Sequence, residues 1–300
     1  MAEARQKYVH GVLWFLLSLV ACQINDAAMK FLSVRLDPIQ TTFMRFSFAV
    51  LLLLPVMLAV GMRTFSTVRP ALHFFRGAIL FAATACWCWG LGRTSMAMAV
   101  LIGFSMPLIL LILARIFLGE RVSLWRWCAT AVGFIGIAVA TNPPGSACFN
   151  WAAVPLLLSA TFFAILDIFN RRYAEKEPLW AMILYGSLWT AVFSAWPAIS
   201  RWVSPSPLDW LLAVSLGASA NLLLFCLMRA LRLIEASATA PYRNVEFLFS
   251  LVTGYVFFGE IADGPTLIGA AIVLPTTVAL AIYESRAGGG SKTEHFHSCC

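Results

Sequence analysis

The sequence predicts an all-α integral membrane protein: ten transmembrane helices arranged as two inverted five-helix repeats. Three observations carry that prediction. The chain is 61% hydrophobic and only 12% charged, about half the charge fraction of a soluble globular protein, so it needs an apolar solvent outside itself. Ten apolar stretches of about twenty residues, long enough to cross a bilayer as helices, follow one another with short connections. Landmarks in the first half recur in the second at a nearly constant offset.

The spans lie near 10–32, 39–60, 71–91, 95–117, 124–140, 151–172, 179–199, 208–230, 235–258 and 265–283. Pro, Gly and Asn punctuate the connections, as at Asn142-Pro143-Pro144-Gly145, and none is long enough for a soluble domain. Within the first span, Leu19-Val20-Ala21-Cys22 resembles a lipoprotein cleavage box after Arg5 and Lys7. Cleavage there would remove most of a helix that has a counterpart later, so the segment is kept as the first span.

Positive charge orients the spans. With the N-terminus inside, the inner segments hold fourteen Lys and Arg residues, among them Arg63, Arg69, Arg171, Arg172, Arg229 and Arg232. The outer loops hold three, Arg35, Arg93 and Arg201, a strong positive-inside bias that places both termini in the cytoplasm. Lys30, Arg45, Arg76 and Arg243 lie within spans or at their edges. The net charge of +7 is therefore inner-loop charge against a lipid bilayer, and no nucleic-acid partner is expected.

The repeat rests on four matches. Leu16-Leu17-Ser18 with Asp26 corresponds to Leu157-Leu158-Ser159 with Asp167, and Lys30 to Arg171. The fourth span ends in Phe117-Leu118-Gly119-Glu120 and the ninth in Phe257-Phe258-Gly259-Glu260; Pro55 corresponds to Pro197. These pairs fall 140 to 142 positions apart. Residues 1–142 and 148–285 are read as copies, and five spans per copy invert one relative to the other, the layout of many secondary transporters. Residues 286–300, after the last span, are read as a disordered tail.

Eight cysteines do not make a disulfide framework. Cys22, Cys86, Cys88, Cys128 and Cys226 sit in apolar segments, where cysteine behaves as a small hydrophobe. Cys86-Trp87-Cys88 has the wrong spacing for a zinc or redox pair, and the His295, His297, Cys299 and Cys300 tail is read as a metal site only by accident. No metal and no cofactor are expected. Gly288-Gly289-Gly290-Ser291-Lys292-Thr293 lacks the Gly-Lys pair of a phosphate loop, which excludes nucleotide hydrolysis by this chain.

The charged residues at depth are the candidate site. Ile234–Glu260 is an apolar segment carrying Pro241, Arg243 and Glu246. An ion at bilayer depth costs a few kcal/mol or more and needs a partner, a wet cavity or a ligand, and Pro241 removes a backbone donor just before. One reading is an i,i+3 ion pair beside a kink; the other is a substrate site on a broken helix. Asp26 and Asp167 are expected roughly 15 Å apart along the membrane normal, each at one mouth of a pathway. The alternative pairs Asp26 with Arg45 or Lys30, and Asp167 with Arg171 or Arg172. Asn25, Asn170 and Asn221 are polar at depth, where helix-to-helix bonding is the commoner use. Trp87 and Trp89 stack on a cation or belong to the aromatic belt, Arg76 snorkels, His10 and His73 read as interface residues, and Gly103, Gly133 and Gly136 as close-packing positions.

The ten-span arrangement with Gly-Glu after the fourth and ninth spans resembles the drug/metabolite transporter superfamily, EamA type. Within it, Gly11–Val20 with Asn25-Asp26, Ala164–Asn170 and above all Glu235-Ala-Ser-Ala-Thr-Ala-Pro-Tyr-Arg243 are similar to the S-adenosylmethionine uptake transporters of obligate intracellular bacteria. That resemblance implies a multi-pass protein of the cell inner membrane importing S-adenosylmethionine and exporting S-adenosylhomocysteine. It supplies no site motif, so roles follow from the ligand's chemistry: Arg243 for the carboxylate, Glu246 for the ammonium, Tyr242 for the adenine or sulfonium, Asp26 and Asp167 for the positive charge, Asn25 and Asn170 for adenine edges. Oligomeric state is left open. A broader amino-acid or metabolite exporter on the same fold is the alternative. An intramembrane enzyme would need clustered Asp pairs, HExxH or a nucleophile set, and none is found.

Overall fold

A computed structural model of the protein describes residues 2–61, 65–67, 69–117, 124–141, 150–173, 177–233 and 244–291. Among the described residues there are helices and no strand. In chain order they are α1 (Ala2–Arg35), α2 (Pro38–Val60), α3 (Pro70–Leu91), α4 (Met96–Gly103), α5 (Ser105–Phe117), α6 (Leu124–Thr141), α7 (Ala153–Tyr173), α8 (Leu179–Ser200), α9 (Pro207–Leu233), α10 (Val245–Phe258) and α11 (Gly264–Ser291). Among the described residues six segments are long and apolar enough to cross a membrane: Tyr8–Arg35, Pro38–Ala59, Pro70–Leu91, Met96–Phe117, Trp180–Ser200 and Pro207–Leu227. Four shorter apolar helices, Trp127–Thr141, Ala153–Phe169, Val245–Phe258 and Gly264–Ala279, accompany them.

Local chemistry sets the boundaries. Asp37 caps α2 by accepting the Ile39 N–H at 2.8 Å, with Pro38 in the first turn, where its missing N–H costs nothing. Ser95 caps α4 through the Met98 N–H at 3.2 Å. Gly259, at φ 64°, ends α10 in the left-handed conformation that glycine adopts freely.

The fourth apolar segment is interrupted at Phe104, between α4 and α5. Pro107 has no N–H for the Gly103 carbonyl, which is the standard cause of such a break. A broken helix is expected around Pro241, which lies outside the described residues; α10 begins at Val245 as α5 begins at Ser105, 140 positions earlier. At the other end, α11 continues to Ser291, past the point where the sequence reading places a tail; residues 292–300 lie outside the described residues.

Each helix packs chiefly on the opposite half of the chain: α1 on α9, α3 on α7, α2 on α8 and α9, α3 on α8, α6 on α11. The tightest approaches use small residues. Gly77 of α3 lies against Trp189 of α8, and Gly217 of α9 against Phe48 of α2. Those two contacts exchange under a shift of 140 or 141 positions (217 − 77 and 189 − 48). Gly133 abuts Leu108 and Gly136 abuts Ile272 and Val273, so their close-packing role holds. In the middle runs α4, whose Met96–Ile102 stretch is buried on every side.

Polar contacts tie the halves together at both ends of the bundle. At the end where α1 stops, Gln40 exchanges two hydrogen bonds with the Val203 backbone at 2.7 and 3.0 Å, and Arg35 lies 3.6 Å from Asp209. At the opposite end, Thr67 donates to Glu177 at 2.9 Å and contacts His73 Nε2 at 3.0 Å. Arg76 donates to His73 Nδ1 at 3.2 Å, so the neutral ring carries its proton on Nε2 and donates it to Thr67. His73 and Arg76 are thus buried in a polar cluster, which corrects their readings as interface and snorkelling residues. Burial follows because Glu177, from the other half, brings a carboxylate to meet them.

Candidate functional site

Asp26 sits on α1 nine residues before its end, and Arg45 on α2 seven residues after its start, depths of about 13 and 10 Å from the same end of the bundle. They meet beside the first turn of α10, which carries Glu246. Helix polarity suits a carboxylate there, because the first N–H groups of α10 leave a partial positive charge.

Trp87 of α3 donates its indole N–H to Asp26 Oδ1 at 3.0 Å. Cys22, one turn before Asp26, lies 4.0 Å from Asp26 Oδ2 and 3.7 Å from Glu246 Oε1, so one sulfur bridges the two carboxylates. Arg45 is within electrostatic reach of Asp26 and Cys22. It makes no ion pair within 4.0 Å with a described residue, and its Nε is shut away from solvent without a hydrogen-bond partner. Its guanidinium rests 5.2 Å from the Phe46 ring centroid. Trp87 is itself held in place: a Cβ on Gly103, at the break between α4 and α5, would lie 3.3 Å from the ring.

The structure sorts the sequence candidates. Asp26, Glu246 and Trp87 come together, and Glu246 faces α1 rather than the outside of the bundle. Trp87 is therefore not a belt residue; Trp89, which stacks 4.0 Å from Arg93, is the one that fits a belt. Asn25 commits its NH2 group to Leu216 O and Ser219 Oγ of α9, both at 2.9 Å, which leaves its carbonyl oxygen for any ligand. Asn221 likewise bonds Ala49 O at 3.0 Å. Asp167 is half-buried on α7 and already engaged. Tyr242 and Arg243 lie outside the described residues, as does the side chain of Asn170.

Two features were missed. Arg45 was weighed only as a partner for Asp26, although an arginine that deep in a span is itself a site signal. Lys30 pairs with Glu260 and not with Asp26. The same ammonium contacts the Thr94 carbonyl and the Phe258 ring at 5.1 Å, and Glu260 Oε2 accepts the Met96 N–H at 2.8 Å. This contact locks the ends of α1, α4 and α10 together.

Two cavities flank the bundle. One of about 580 Å3 lies between α2, α8 and α9, lined by Leu52, Trp180, Asn221, Phe225 and Arg229 among others. A second of about 330 Å3 lies between α1, α9 and α10 and borders Gln23, Ser215 and Thr253. Neither borders the Asp26 cluster, in which Asp26 is 6% exposed while Cys22, Arg45, Trp87 and Glu246 are half-buried.

A family model described as the EamA-like transporter family matches residues 9–142 and again 150–282. The chain belongs to the EamA-like transporter family. It is 39% identical over 287 residues to the S-adenosylmethionine uptake transporter of Rickettsia conorii, covering 96% of this chain and 97% of that one. The S-adenosylmethionine uptake transporter of Rickettsia prowazekii is 38% identical over 294 residues, covering 98% and 99%. A solved crystal structure shares the fold at a TM-score of 0.62 and 19% identity, covering 96% of this chain and 99% of that one. Membership of this family makes the protein a transporter and not an enzyme.

Proposed function

We propose that the protein imports S-adenosylmethionine across the bacterial inner membrane, in exchange for S-adenosylhomocysteine, by alternating access. The observation that carries this reading is the cluster of Asp26, Glu246 and Arg45 near mid-bilayer depth, in a chain whose relatives carry that transporter name along nearly their whole length. The ligand is a cation overall, with a carboxylate, an ammonium, a sulfonium and an adenosine. Asp26 and Glu246 supply the negative charge, Trp87 an aromatic face, and Asn25 a carbonyl oxygen. Tyr242, Arg243, Asn170 and Asp167 complete the proposed substrate-binding set.

Ten spans as two inverted repeats, with both termini cytoplasmic, give the alternating frame. Three features support it: the exchange of the Gly77–Trp189 and Gly217–Phe48 contacts under the repeat offset, the matching starts of α5 and α10, and polar ties between the halves at both ends. In an inward–outward cycle the Lys30–Glu260 contact and the Glu177 cluster would open in turn.

Expression in a bacterium unable to take up S-adenosylmethionine tests the reading. Uptake of labelled S-adenosylmethionine is expected, faster when S-adenosylhomocysteine is loaded inside. No uptake would refute import; uptake without stimulation would refute exchange. Competition by methionine and adenosine, expected to be weak, would point to a broader transporter if strong.

A further inference from the structure

The described cations near the ends of α1 and α3 have visible partners: Lys30 has Glu260, Arg35 has Asp209, and Arg93 has the Trp89 carbonyl at 3.1 Å. Arg45 differs. Its Nε has lost water and gained nothing, although a buried ionic donor without a hydrogen bond is among the costliest features a fold can carry. One carboxylate, that of Asp26, stands close enough to attract it, yet it does not close to within 4.0 Å. Asp26 gives one oxygen to Trp87 and turns the other towards Cys22. The guanidinium Nε is left without an acceptor.

We infer that Arg45 is the receptor for the carboxylate of the transported zwitterion, with Asp26 and Glu246 holding its positive end. This rests on the S-adenosylmethionine reading above and deepens it. A guanidinium presents two parallel N–H donors that match a carboxylate, and Phe46 beneath its plane keeps the fork in place. Charge balances as well. Asp26, Glu246 and Asp167 against Arg45 and Arg243 sum to −1, and S-adenosylmethionine, with one negative and two positive groups, is +1. S-adenosylhomocysteine, lacking the sulfonium, leaves the same site at −1 and is held less firmly.

The test compares S-adenosylmethionine with its decarboxylated analogue, S-adenosyl-3-methylthiopropylamine, as competitors of labelled uptake and as ligands of the purified full-length protein. Wild type is expected to prefer S-adenosylmethionine by about 100-fold. In Arg45→Gln that preference collapses towards one, while Arg93→Gln, outside the site, keeps it. Arg45→Lys, which retains charge but loses the fork, is expected to keep no more than a tenth of the preference, and it carries the test should the glutamine variant fail to fold. An unchanged preference in the Arg45 variants, or its collapse in Arg243→Gln alone, would overturn the assignment. Wild type that binds neither compound would instead remove the S-adenosylmethionine reading, and the role of Arg45 with it.

Discussion

Asp26 and Lys30 stand one helical turn apart on α1, and their surroundings differ in kind. Around Lys30 the neighbours are matched: a carboxylate, a carbonyl and an aromatic face meet the ammonium, and the second oxygen of Glu260 is taken by the Met96 N–H. Around Asp26 the bonding is incomplete, with a weak thiol contact on one side and a guanidinium whose Nε bonds nothing on another. The first region fixes backbone ends to one another. The second holds charge in readiness. A buried charge does not by itself mark a binding site; the bonding capacity left over beside it does.

The comparison breaks most sharply at Lys30. Lys30→Met strands the Glu260 charge, and because Glu260 is 22% exposed the loss sits at the low end of the range for buried pairs, about 3 kcal/mol. Denaturation in detergent should show it, and Lys30→Met with Glu260→Gln should regain a large part. A double variant no better than the single one would mean that the pair is not what holds this end together. Asp26→Asn keeps an acceptor for the Trp87 indole, so the protein should fold normally while uptake falls by about tenfold or more. Large destabilisation with intact uptake by the surviving protein would place Asp26 with Lys30 as a structural charge.

Gly103→Ala presses on the Trp87 ring. About 1 kcal/mol of overpacking and a fall in uptake smaller than that of Asp26→Asn are expected; uptake equal to wild type would show that Trp87 does not position Asp26. The smallest effect belongs to Asn25→Leu, which loses two bonds to α9 worth about 0.6 kcal/mol each. Uptake should fall only in part, through loss of the carbonyl oxygen offered to the ligand, and uptake equal to wild type would remove Asn25 from the ligand contacts.

Depth along the membrane was legible in the sequence and rotation about each helix was not. Apolar runs located the segments, and the offset near 140 paired Gly119-Glu120 with Gly259-Glu260 before any contact was known. Which face Asp26 or Arg45 presents depends on how helices far apart in sequence rotate against one another. Lys30 and Glu260 are separated by 230 positions, and nothing local in either stretch announces the other. Trp87 was open to two readings because a span end suits a belt residue as well as an inward one. His73 looked interfacial until Glu177, from the other half, was seen to meet it. The break at Phe104 was readable from Pro107, had the proline been given the same weight as Pro241.

The most direct measurement is the shift in thermal stability that S-adenosylmethionine confers on the purified protein and on Asp26→Asn. Ligand at 100 times its dissociation constant should stabilise wild type by about 2.7 kcal/mol, and the variant by half of that or less at the same concentration. Equal protection of both proteins, or none of either, would contradict a site built on the incompletely satisfied charges of α1 and α2.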